Sequence, residues 1–376
     1  MKIAITTLGV APGLWGGGET FLVNLINKLV DIDRENKLLL IVSRSNEKLF
    51  PAAGGNIEHL RYNFDNSSRT LRVLFEQFVL PWSLWRKKVD LLIAPCYTGL
   101  IYSPCPVVLI VLDFVYFVYP KSVPLAHRVF YRKFVPYSCR KASKVAVISS
   151  KTKDDAIRYT GIDEDKIKVI YCGVDYEFFA NPAQDIAEPD ILKQYGIDRS
   201  YIFTPTSLYE HNKDDSLIKA FAKLKEKYKV PHKLVITGFD PANRLNLLKH
   251  LIHELGLDDE VLYLGRVPKK HMPLLYSKAD ITVWLSVYAG FGLPIVEAMA
   301  AGCPVLSSDQ SCLPEVVGDG GVLVNPFDIQ GIVDKMHLLL TDKELRKACI
   351  EKGRLRAKHF SWDKVAQNLI DIYTHL

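Results

Sequence analysis

Residues 286–302 constrain the fold most, because they join an apolar stretch to a helical pattern through a glycine-rich turn. The apolar run just before them is typical of a buried strand. Gly290 and Gly292 form the turn, and Pro294 suits the first turn of a helix, where a backbone N–H has no helical partner. Free N–H groups at such a helix start, together with the helix dipole, favour an anion such as phosphate. Glu297 stands one turn into the helix and can reach a ligand at its start, although a plain strand-to-helix connection is the alternative.

Apolar strands alternate with helical patterns along the chain, which predicts an α/β fold of doubly wound parallel sheets. At 376 residues the chain is too long for one ordinary core, so two domains are expected. The first domain is predicted to cover residues 1–178 and the second 179–360, with a linker within 176–190 and a last helix at 361–376. Two such domains leave a cleft between the carboxyl ends of their sheets, where ligands bind. The expected strands lie at 2–7, 38–42, 91–94, 107–112, 144–148, 167–170, 201–204, 233–237, 261–264, 281–285, 304–307 and 321–324.

The charge distribution indicates which kind of partner the chain binds, and the cysteine content indicates the cellular compartment in which it works. Residues 1–180 hold 24 Lys and Arg against 17 Asp and Glu, whereas residues 181–376 hold 24 against 25. The first half therefore favours an anionic partner or surface. The seven cysteines are odd in number and form no CxxC pair, which indicates a reducing cytosol rather than disulfides or a zinc site. The amino terminus lacks the features of a signal peptide, and the apolar run at 107–112 is too short to span a bilayer.

Two segments of the first half, residues 75–88 and 114–141, interleave aromatic and basic side chains. Such segments could lie on anionic lipid headgroups. They could equally form core helices with a solvated basic face. Nucleic acid is not expected as a partner, because the excess charge is small and no nucleic-acid-binding motif is present.

The loop after the first strand carries Gly16, Gly17 and Gly18 just before a helical pattern. Glycines at a strand-to-helix turn let a ligand approach the backbone closely. They form neither the GxGxxG pattern of dinucleotide-binding proteins nor the GK[ST] of a P-loop, which argues against an unrelated dehydrogenase or kinase. The loop is therefore either a ligand contact or a flexible surface turn.

A set of short motifs runs in one order along nearly the full length of the chain. It begins with Gly16-Gly-Gly-Glu19 and ends at residues 360–362, just before the last helix. Single motifs of this kind are common, but the set in this order is highly specific. It makes the chain resemble the retaining glycosyltransferases of family 4, which have the GT-B fold and a last helix that crosses back onto the first domain. The other motifs lie at 146–153, 167–175, 217–221, 263–267, 290–305 and 313–316.

The resemblance implies a nucleotide-sugar donor that is held mainly by the second domain. By similarity Glu297 would bind the ribose hydroxyls, and a carboxylate accepts two hydrogen bonds well. The family's base pocket forms near residues 266–267, and the backbone at 290–293 would hold the diphosphate or the sugar. The glycines at 16–18 would approach the diphosphate from the first domain. The implied donor-binding residues are Gly16, Gly17, Gly18, Thr206, Asn212, Arg266, Val267, Ala289, Gly290, Phe291, Gly292, Leu293 and Glu297.

Two departures from the family pattern fall on residues that would face the donor sugar. The family has two glutamates eight residues apart, and here the second is Glu297 but the first position is Ala289. This change could mean a different sugar, weak activity or an engineered substitution. The family often has His-Asp near the acceptor region, whereas this chain has Leu112 and Asp113, so the sugar-facing imidazole is missing.

Two further departures fall on the cations that the family offers to the diphosphate. Its Arg and Lys positions hold Thr206 and Asn212 in this chain. Thr or Ser at the first position is common in a subgroup of the family. Lys213 lies next to the second position and could supply the charge, although His211 and Lys213 could also be an ordinary cluster at a helix start.

Sugar transfer requires that the charge of the leaving diphosphate be stabilised while the acceptor hydroxyl approaches the anomeric carbon. A helix start, loop amides and Lys213 are expected to stabilise that charge. A double displacement would need a carboxylate, for which Asp113 is the candidate. The family is usually described by same-face substitution, in which the leaving phosphate helps to deprotonate the acceptor. The catalytic candidates are Asp113, Lys213 and Glu297, and the absence of an evident DxD motif means that no metal is expected.

The expected function is transfer of a hexose from a UDP- or GDP-linked sugar to a saccharide or lipid-linked acceptor in bacterial-type surface polysaccharide or lipopolysaccharide assembly. The expected partners are the donor, the acceptor and a membrane surface, and no cofactor is expected beyond the donor as co-substrate. The expected location is the cytoplasm, with peripheral association at the inner face of the membrane. The alternative is a non-catalytic GT-B protein that binds sugar nucleotide or supports an active partner. The two are distinguished by whether Asn212 and Lys213 still present a cation to the diphosphate.

Overall fold

The chain is described by a computed structural model over residues 1–10, 12, 16–64, 69–95, 97–120, 125–182, 188–241 and 243–376. It divides into two compact units. Unit 1 comprises Met1–Gly173 and Trp362–Leu376, and unit 2 comprises Val174–Ser361. The backbone N–H of Val174 donates to the carbonyl of Phe360 at 2.8 Å, so the two ends of unit 2 lie side by side.

Unit 1 is built on a seven-stranded sheet in which every paired strand is parallel. The strand order is β3-β2-β1-β4-β5-β6-β7. The chain leaves β1 towards one edge and resumes at β4 towards the other, so the carboxyl ends of β1 and β4 flank the reversal where open α/β sheets bind ligands. The strands are β1 Lys2–Thr6, β2 Lys37–Ser43, β3 Ile57–Tyr62, β4 Leu91–Ala94, β5 Val107–Val111, β6 Lys144–Val147 and β7 Ile167–Val169.

Unit 2 repeats this architecture on a six-stranded parallel sheet of order β10-β9-β8-β11-β12-β13. Its central strands are apolar and buried, because helices cover both faces of such a sheet. The reversal of strand order lies between β8 and β11. The strands are β8 Tyr201–Pro205, β9 Lys233–Thr237, β10 Val261–Tyr263, β11 Ile281–Trp284, β12 Val305–Ser308 and β13 Val322–Val324.

Helices connect the strands of both units. In unit 1 they are α1 Gly17–Ile32, α2 Arg69–Phe78, α3 Leu80–Arg86, α4 Val115–Val118, α5 Leu125–Lys141 and α6 Ser150–Thr160. In unit 2 they are α7 Tyr176–Ala180, α8 Glu188–Gln194, α9 Asp214–Tyr228, α10 Leu245–Glu254, α11 Met272–Lys278, α12 Leu293–Ala300, α13 Leu313–Val317, α14 Ile329–Thr341 and α15 Lys343–Lys358. Helix α16, Trp362–Thr374, returns to unit 1. No helix in the described part of the chain combines the length and the apolarity that crossing a bilayer requires.

The last helix packs against α1 within unit 1. The rings of Phe21 and Trp362 meet edge to face with centroids 5.9 Å apart, and Tyr373 donates a short hydrogen bond to Asp33. Gly173 lies so close to this helix that an added Cβ would be 2.5 Å from the backbone nitrogen of Trp362. The predicted return of the last helix to the first domain is therefore confirmed.

The predicted fold class is confirmed, and all twelve expected strands are present with small shifts at their ends. Strand β3 was not expected, because Glu58, His59 and Arg61 interrupt its apolar pattern and it lies at the edge of the sheet. The predicted linker at 176–190 was wrong in part. Its described residues contain α7 and the start of α8, and α7 packs against α11 and α12 of unit 2, while residues 183–187 lie outside the described part.

Candidate active site

The start of α12 lies where β11 ends, as the strand–turn–helix pattern predicts. Gly292 is the N-cap residue, with φ 110°, and no side chain caps the helix. An added Cβ at Gly292 would lie 3.0 Å from Trp284 Cζ3 and 3.1 Å from Leu313 Cδ2, so both the space and the backbone angle require glycine. Pro294 occupies the first turn. Pro294 has no N–H, and the N–H of Ile295 donates to the carbonyl of Gly292 at 3.0 Å. The N–H groups of Gly292 and Leu293 donate to no described residue outside the helix and are therefore the ones open to an anion.

The backbone of the loop that leads into α12 is hydrogen-bonded by the two residues before α13. Ser311 Oγ lies 3.2 Å from the backbone nitrogen of Ala289 and donates to its carbonyl oxygen at 3.0 Å. Cys312 Sγ contacts the carbonyl oxygen of Phe291 at 3.1 Å. The predicted donor loop, residues 289–293, is thus fixed through its backbone, and the side chain of Ala289 is half-buried.

Glu297 lies one turn into α12 and is joined to a buried tyrosine. The Tyr276 hydroxyl donates to Glu297 Oε2 at 2.8 Å, and Tyr276 is fully buried in α11. Burial raises the pKa of Glu297, while the Tyr276 hydrogen bond and the charge of Lys269 oppose that rise. Oε1 of Glu297 accepts no hydrogen bond from the described residues. The carboxylate is therefore held in place with one oxygen available to a ligand.

The loop between β8 and α9 carries the two positions where the resemblance implies cations. Asn212 is buried, and its Nδ2 donates to the carbonyl of Ser207 at 2.6 Å. Thr206 Oγ1 donates to the same carbonyl at 3.1 Å. The backbone N–H of Val287 donates to the carbonyl of His211 at 2.8 Å, which joins this loop to the one before α12. The side chains at both positions therefore brace the loop instead of presenting charge.

Lys213 is the cation of this loop. It adopts a left-handed backbone conformation, φ 57°, immediately before α9. Its Nζ lies 4.8 Å from the ring centroid of Phe327, whose side chain is 61% exposed. Asn325 Oδ1 accepts a hydrogen bond from the backbone N–H of Phe327 at 2.9 Å and so fixes the turn. A cation–π contact thus holds the Lys213 ammonium near the loop.

A buried polar group beside this loop was not identified from sequence. Asp214 is 2% exposed, and burial raises the pKa of its carboxyl to about 7, against the charge of Arg244, which lowers it. Burial together with the charge of Arg244 lowers the pKa of His211 to about 4. Acidic residues are common in the first turn of helices, so nothing in the sequence marks Asp214 as buried.

The residues predicted to line the base pocket follow β10. Arg266 is exposed and its guanidinium lies 4.5 Å from the ring centroid of Phe239, while Val267 is half-buried. Gly238 connects this region to the β8 loop, because an added Cβ there would be 1.6 Å from the carbonyl oxygen of Thr206. The predicted donor-binding residues of unit 2 therefore gather at the carboxyl ends of β8, β10 and β11.

Asp113 lies in unit 1, just after β5. Its Oδ2 accepts a hydrogen bond from the Tyr97 hydroxyl at 2.8 Å, and its Oδ1 accepts one from the backbone N–H of Val115 at 2.9 Å. Burial raises the pKa of Asp113, with a smaller contribution from the charge of Asp155, and both hydrogen bonds oppose the rise. Tyr97 has φ 67°, a conformation that costs energy in a tyrosine. The carboxylate is thus oriented at the carboxyl edge of the sheet.

The glycine loop of unit 1 opens α1. Gly16 is the N-cap residue with φ 55°, and both Gly16 and Gly17 are exposed. Gly18 lies within the first turn, whereas residues 13–15 of the same motif are outside the described part. Gly16–Gly18 and Asp113 follow β1 and β5, which flank β4, so they share one edge of the unit 1 sheet. Their approach to a donor held by unit 2 stays a prediction.

Metal binding was not expected from the sequence. Among the residues that the structure describes, no group of three His, Cys, Asp or Glu side chains is arranged to hold a metal ion. That the reaction needs no metal stays a prediction.

Two family descriptions match most of the sequence. The family described as Glycosyl transferases group 1 matches residues 188–356. The family described as Glycosyltransferase Family 4 matches residues 15–178. The first match covers most of unit 2 and the second covers most of unit 1. The motifs from Gly16-Gly-Gly-Glu19 to residues 167–175 lie within the second match, and those from 217–221 to 313–316 lie within the first.

Named relatives and solved structures agree with these matches. O-antigen chain mannosyltransferase B of Escherichia coli is 28% identical over 264 residues, which is 69% of this chain and 68% of the relative. O-antigen chain mannosyltransferase RfbU of Salmonella typhimurium is 28% identical over 212 residues, and the chain covers only 54% of its length. HepE of Anabaena, solved in complex with UDP and glucose, matches 100% of both chains with a TM-score of 0.75 at 19% identity. The last likeness bears on the fold alone and confirms GT-B. The chain belongs to the glycosyltransferases of the family 4 type.

Proposed function

We propose that the chain transfers a hexose from a nucleotide sugar, linked to UDP or GDP, to a saccharide or lipid-linked acceptor. One observation carries this proposal. Glu297 is fixed by Tyr276 with Oε1 left as an acceptor, one turn behind the open start of α12 at Gly292. A carboxylate behind an anion site suits a ligand with ribose hydroxyls next to a diphosphate. A sugar nucleotide carries both groups, with the ribose joined directly to the diphosphate.

The relatives support the hexose and the process. Two are named as mannosyltransferases of O-antigen chains, and HepE was solved with UDP and glucose. Mannose and glucose are both hexoses, and O-antigen chains are surface polysaccharides. The proposed role is therefore one transfer step in the assembly of a surface polysaccharide or lipopolysaccharide.

The proposed mechanism retains the anomeric configuration. The bond between the anomeric carbon and the diphosphate oxygen breaks, and the acceptor oxygen bonds to the same face of that carbon. The acceptor's proton passes to the departing phosphate oxygen. The N–H groups at the start of α12 and the ammonium of Lys213 would stabilise the charge that builds up on the diphosphate.

Asp113 would act on the acceptor in unit 1. Tyr97 and the N–H of Val115 orient its carboxylate, and a carboxylate of raised pKa accepts a hydrogen bond or a proton from a hydroxyl more readily. Its hydrogen bonds suit an orienting role better than that of a nucleophile, because both oxygens already accept a hydrogen bond. The double displacement is therefore the less favoured route.

We also infer that the chain works in the cytoplasm at the inner face of the membrane. The excess of Lys and Arg in residues 1–180 supports this location, as do the aromatic and basic side chains of segments 75–88 and 114–141. A lipid-linked acceptor would be presented at the same surface.

The test is a calorimetric screen of UDP-, GDP- and ADP-sugars, followed by a measurement of nucleotide release from any donor that binds. We expect one donor to bind, with slow hydrolysis in the absence of acceptor and faster release when a saccharide acceptor is added. Glu297→Ala should abolish binding, whereas Glu254→Ala, an exposed glutamate of α10, should leave it unchanged. Binding of nucleotides without release, even with acceptors and after Ala289→Glu, would instead support a non-catalytic binding protein.

A further inference from the structure

An apolar stripe lies on the outside of α2 and α3. Five large apolar side chains recur at intervals of three and four residues, which places them on one helical face. All five are exposed, by 49% to 76%. The i-to-i−4 hydrogen bonds continue across the junction of the two helices, from Val79 to Phe75 and from Ser83 to Val79, so the face is continuous. The stripe consists of Leu71, Leu74, Phe78, Trp82 and Trp85.

The opposite face of these helices packs against the rest of unit 1, so the stripe lies outside the core. Leu80 and Leu84 are fully buried, and Ser83 accepts a hydrogen bond from the Tyr62 hydroxyl at 2.7 Å. The Phe75 ring meets Tyr62 with centroids 4.2 Å apart. The buried face of the helices therefore fixes them on unit 1, and their apolar stripe faces solvent.

The stripe continues into the loop after β4. Gln77 binds this loop twice, because its Oε1 accepts from the N–H of Ile101 at 2.8 Å and its Nε2 donates to the carbonyl of Gly99 at 3.3 Å. Ile101 and Tyr102 are 51% and 72% exposed. An exposed apolar surface of this extent on a folded chain marks an interaction site.

Basic residues border the stripe at its end. Arg86, Lys87 and Lys88 are exposed, and the Arg86 guanidinium lies 5.2 Å from the ring centroid of Trp82. The one acidic residue of α2 and α3, Glu76, is buried and lies 3.9 Å from Arg72. Helix α5, which the Tyr137 hydroxyl joins to the carbonyl of Ile101 at 3.2 Å, contains Lys and Arg but no Asp or Glu. Glu58, whose pKa the charge of Lys87 helps to lower, and the exposed Asp90 lie at this end as well, so the surroundings of the stripe carry an excess of positive charge and not positive charge alone.

We propose that this stripe is the surface by which unit 1 docks on an anionic lipid bilayer. Tryptophan and phenylalanine partition into the boundary between headgroups and acyl chains, and adjacent Lys and Arg bind anionic headgroups. Helices α2 and α3 would lie flat, with Trp82 and Trp85 inserted and Arg86 to Lys88 at the phosphates. A second copy of the chain is a poorer occupant, because its stripe would bring the same positive charges face to face. The inference rests on the membrane location proposed above, which it assigns to named side chains, and it does not depend on the donor chemistry.

Sedimentation of the full chain with lipid vesicles tests the proposal. We expect binding to vesicles that contain phosphatidylglycerol to be about tenfold tighter than binding to phosphatidylcholine alone, and to weaken with salt. The double variant Trp82→Gln, Trp85→Gln should bind these vesicles about tenfold more weakly than the wild type. The tryptophan fluorescence of the wild type should shift to the blue only when anionic vesicles are added. Changing Arg86, Lys87 and Lys88 to Gln should remove the preference for phosphatidylglycerol.

Exposed leucines of unit 2 provide the matched control. Leu247 and Leu355 are 61% and 63% exposed, and their change to Gln should not alter vesicle binding. Equal binding by the tryptophan and leucine variants would overturn the proposal. So would a dimer that forms without lipid and is lost in the tryptophan variant, because it would assign the stripe to a second copy. Donor binding measured without vesicles should stay at the wild-type value in all variants, so failure of docking and failure of the donor proposal are separable.

Discussion

The Tyr276 hydroxyl donates a 2.8 Å hydrogen bond to Glu297 Oε2, and this bond connects a fully buried side chain of α11 to the carboxylate behind the start of α12. It sets the direction of the carboxylate and opposes the rise in the pKa of Glu297 that burial causes. Because Tyr276 itself is enclosed by Phe179 and Phe203, the orientation of Glu297 depends on the core of unit 2.

Tyr276→Phe should weaken donor binding by about tenfold, since a hydrogen bond to a charged group contributes about 1.5 kcal/mol. Loss of the bond should also raise the pKa of Glu297 further, so the carboxylate becomes protonated at a higher pH than in the wild type. When the solution is acidified, the variant should therefore lose donor affinity at a higher pH than the wild type does. Calorimetric titrations at several pH values measure both effects. Identical pH profiles for the variant and the wild type would contradict the assigned role of this bond.

Phe327→Leu should weaken donor binding by roughly threefold, because an exposed cation–π contact contributes about 0.5–1 kcal/mol. Phe327→Trp should restore it, and Lys213→Ala should have the larger effect. Tyr228→Leu is the matched control, since the Lys227 ammonium lies 4.7 Å from its ring at the end of α9 and is not assigned to the diphosphate. Tighter binding by Phe327→Leu would show that the ring draws Lys213 away from the donor.

Ala289→Glu should increase the rate of sugar transfer, because it restores a carboxylate where the family's first glutamate faces the donor sugar. The missing interaction corresponds to on the order of 2–4 kcal/mol of transition-state stabilisation. The backbone of this residue is held by Ser311, so the new side chain starts from a fixed position. Turnover of the donor found by calorimetry is the measurement. Ala289→Gln, with the same shape and no charge, should give little increase, and an equal increase in both variants would rule out a charge effect.

Gly292→Ala should destabilise unit 2 by roughly 2–4 kcal/mol, because the added Cβ combines backbone strain with close contacts. Those contacts are at 3.0 Å to Trp284 and 3.1 Å to Leu313. Gly256→Ala separates the two effects, since Gly256 has φ +64° and nothing within 4 Å of the added Cβ. It should cost only about 1 kcal/mol. Urea unfolding of both variants measures the difference, and equal losses would mean that packing around Gly292 contributes nothing.

Asp214→Asn should stabilise the protein at pH 8. The pKa of Asp214 is raised from 3.8 to about 7, so the folded state holds its proton more tightly than the unfolded state. The stability that this group contributes is therefore highest below pH 4, falls as pH rises towards 7, and is level above. Removing the charge should recover roughly 2–4 kcal/mol at pH 8 and little at pH 4. Urea unfolding at pH 8 and pH 4 checks this, and Asp215→Asn, which changes the partly exposed neighbour, is the control. A gain in stability that does not depend on pH would contradict a buried, titrating carboxyl at Asp214.

Much of the fold was predictable because its signals are local. Most of the twelve predicted strands are largely apolar, and apolar runs mark strands that helices cover on both faces. Strand β3 lacks that signal, since an edge strand is half-exposed and tolerates Glu58, His59 and Arg61. Pairing with β2, which lies earlier in the chain, is what makes this segment a strand.

The parts of the candidate site that depend on backbone conformation were predictable from the sequence. The parts that depend on the direction of a side chain were less predictable. Gly292 and Pro294 require a strand–turn–helix geometry wherever they occur in this pattern, because only glycine accepts the angle and proline suits the first turn. The sequence alone therefore determined the parallel α/β architecture and the open start of α12. Only the tertiary structure decided that Asn212 turns inward to Ser207, that Asp214 is buried, and that Glu297 is held by Tyr276. These contacts join segments that come together only when the sheet assembles, and no local pattern specifies which way a polar side chain turns in that packing.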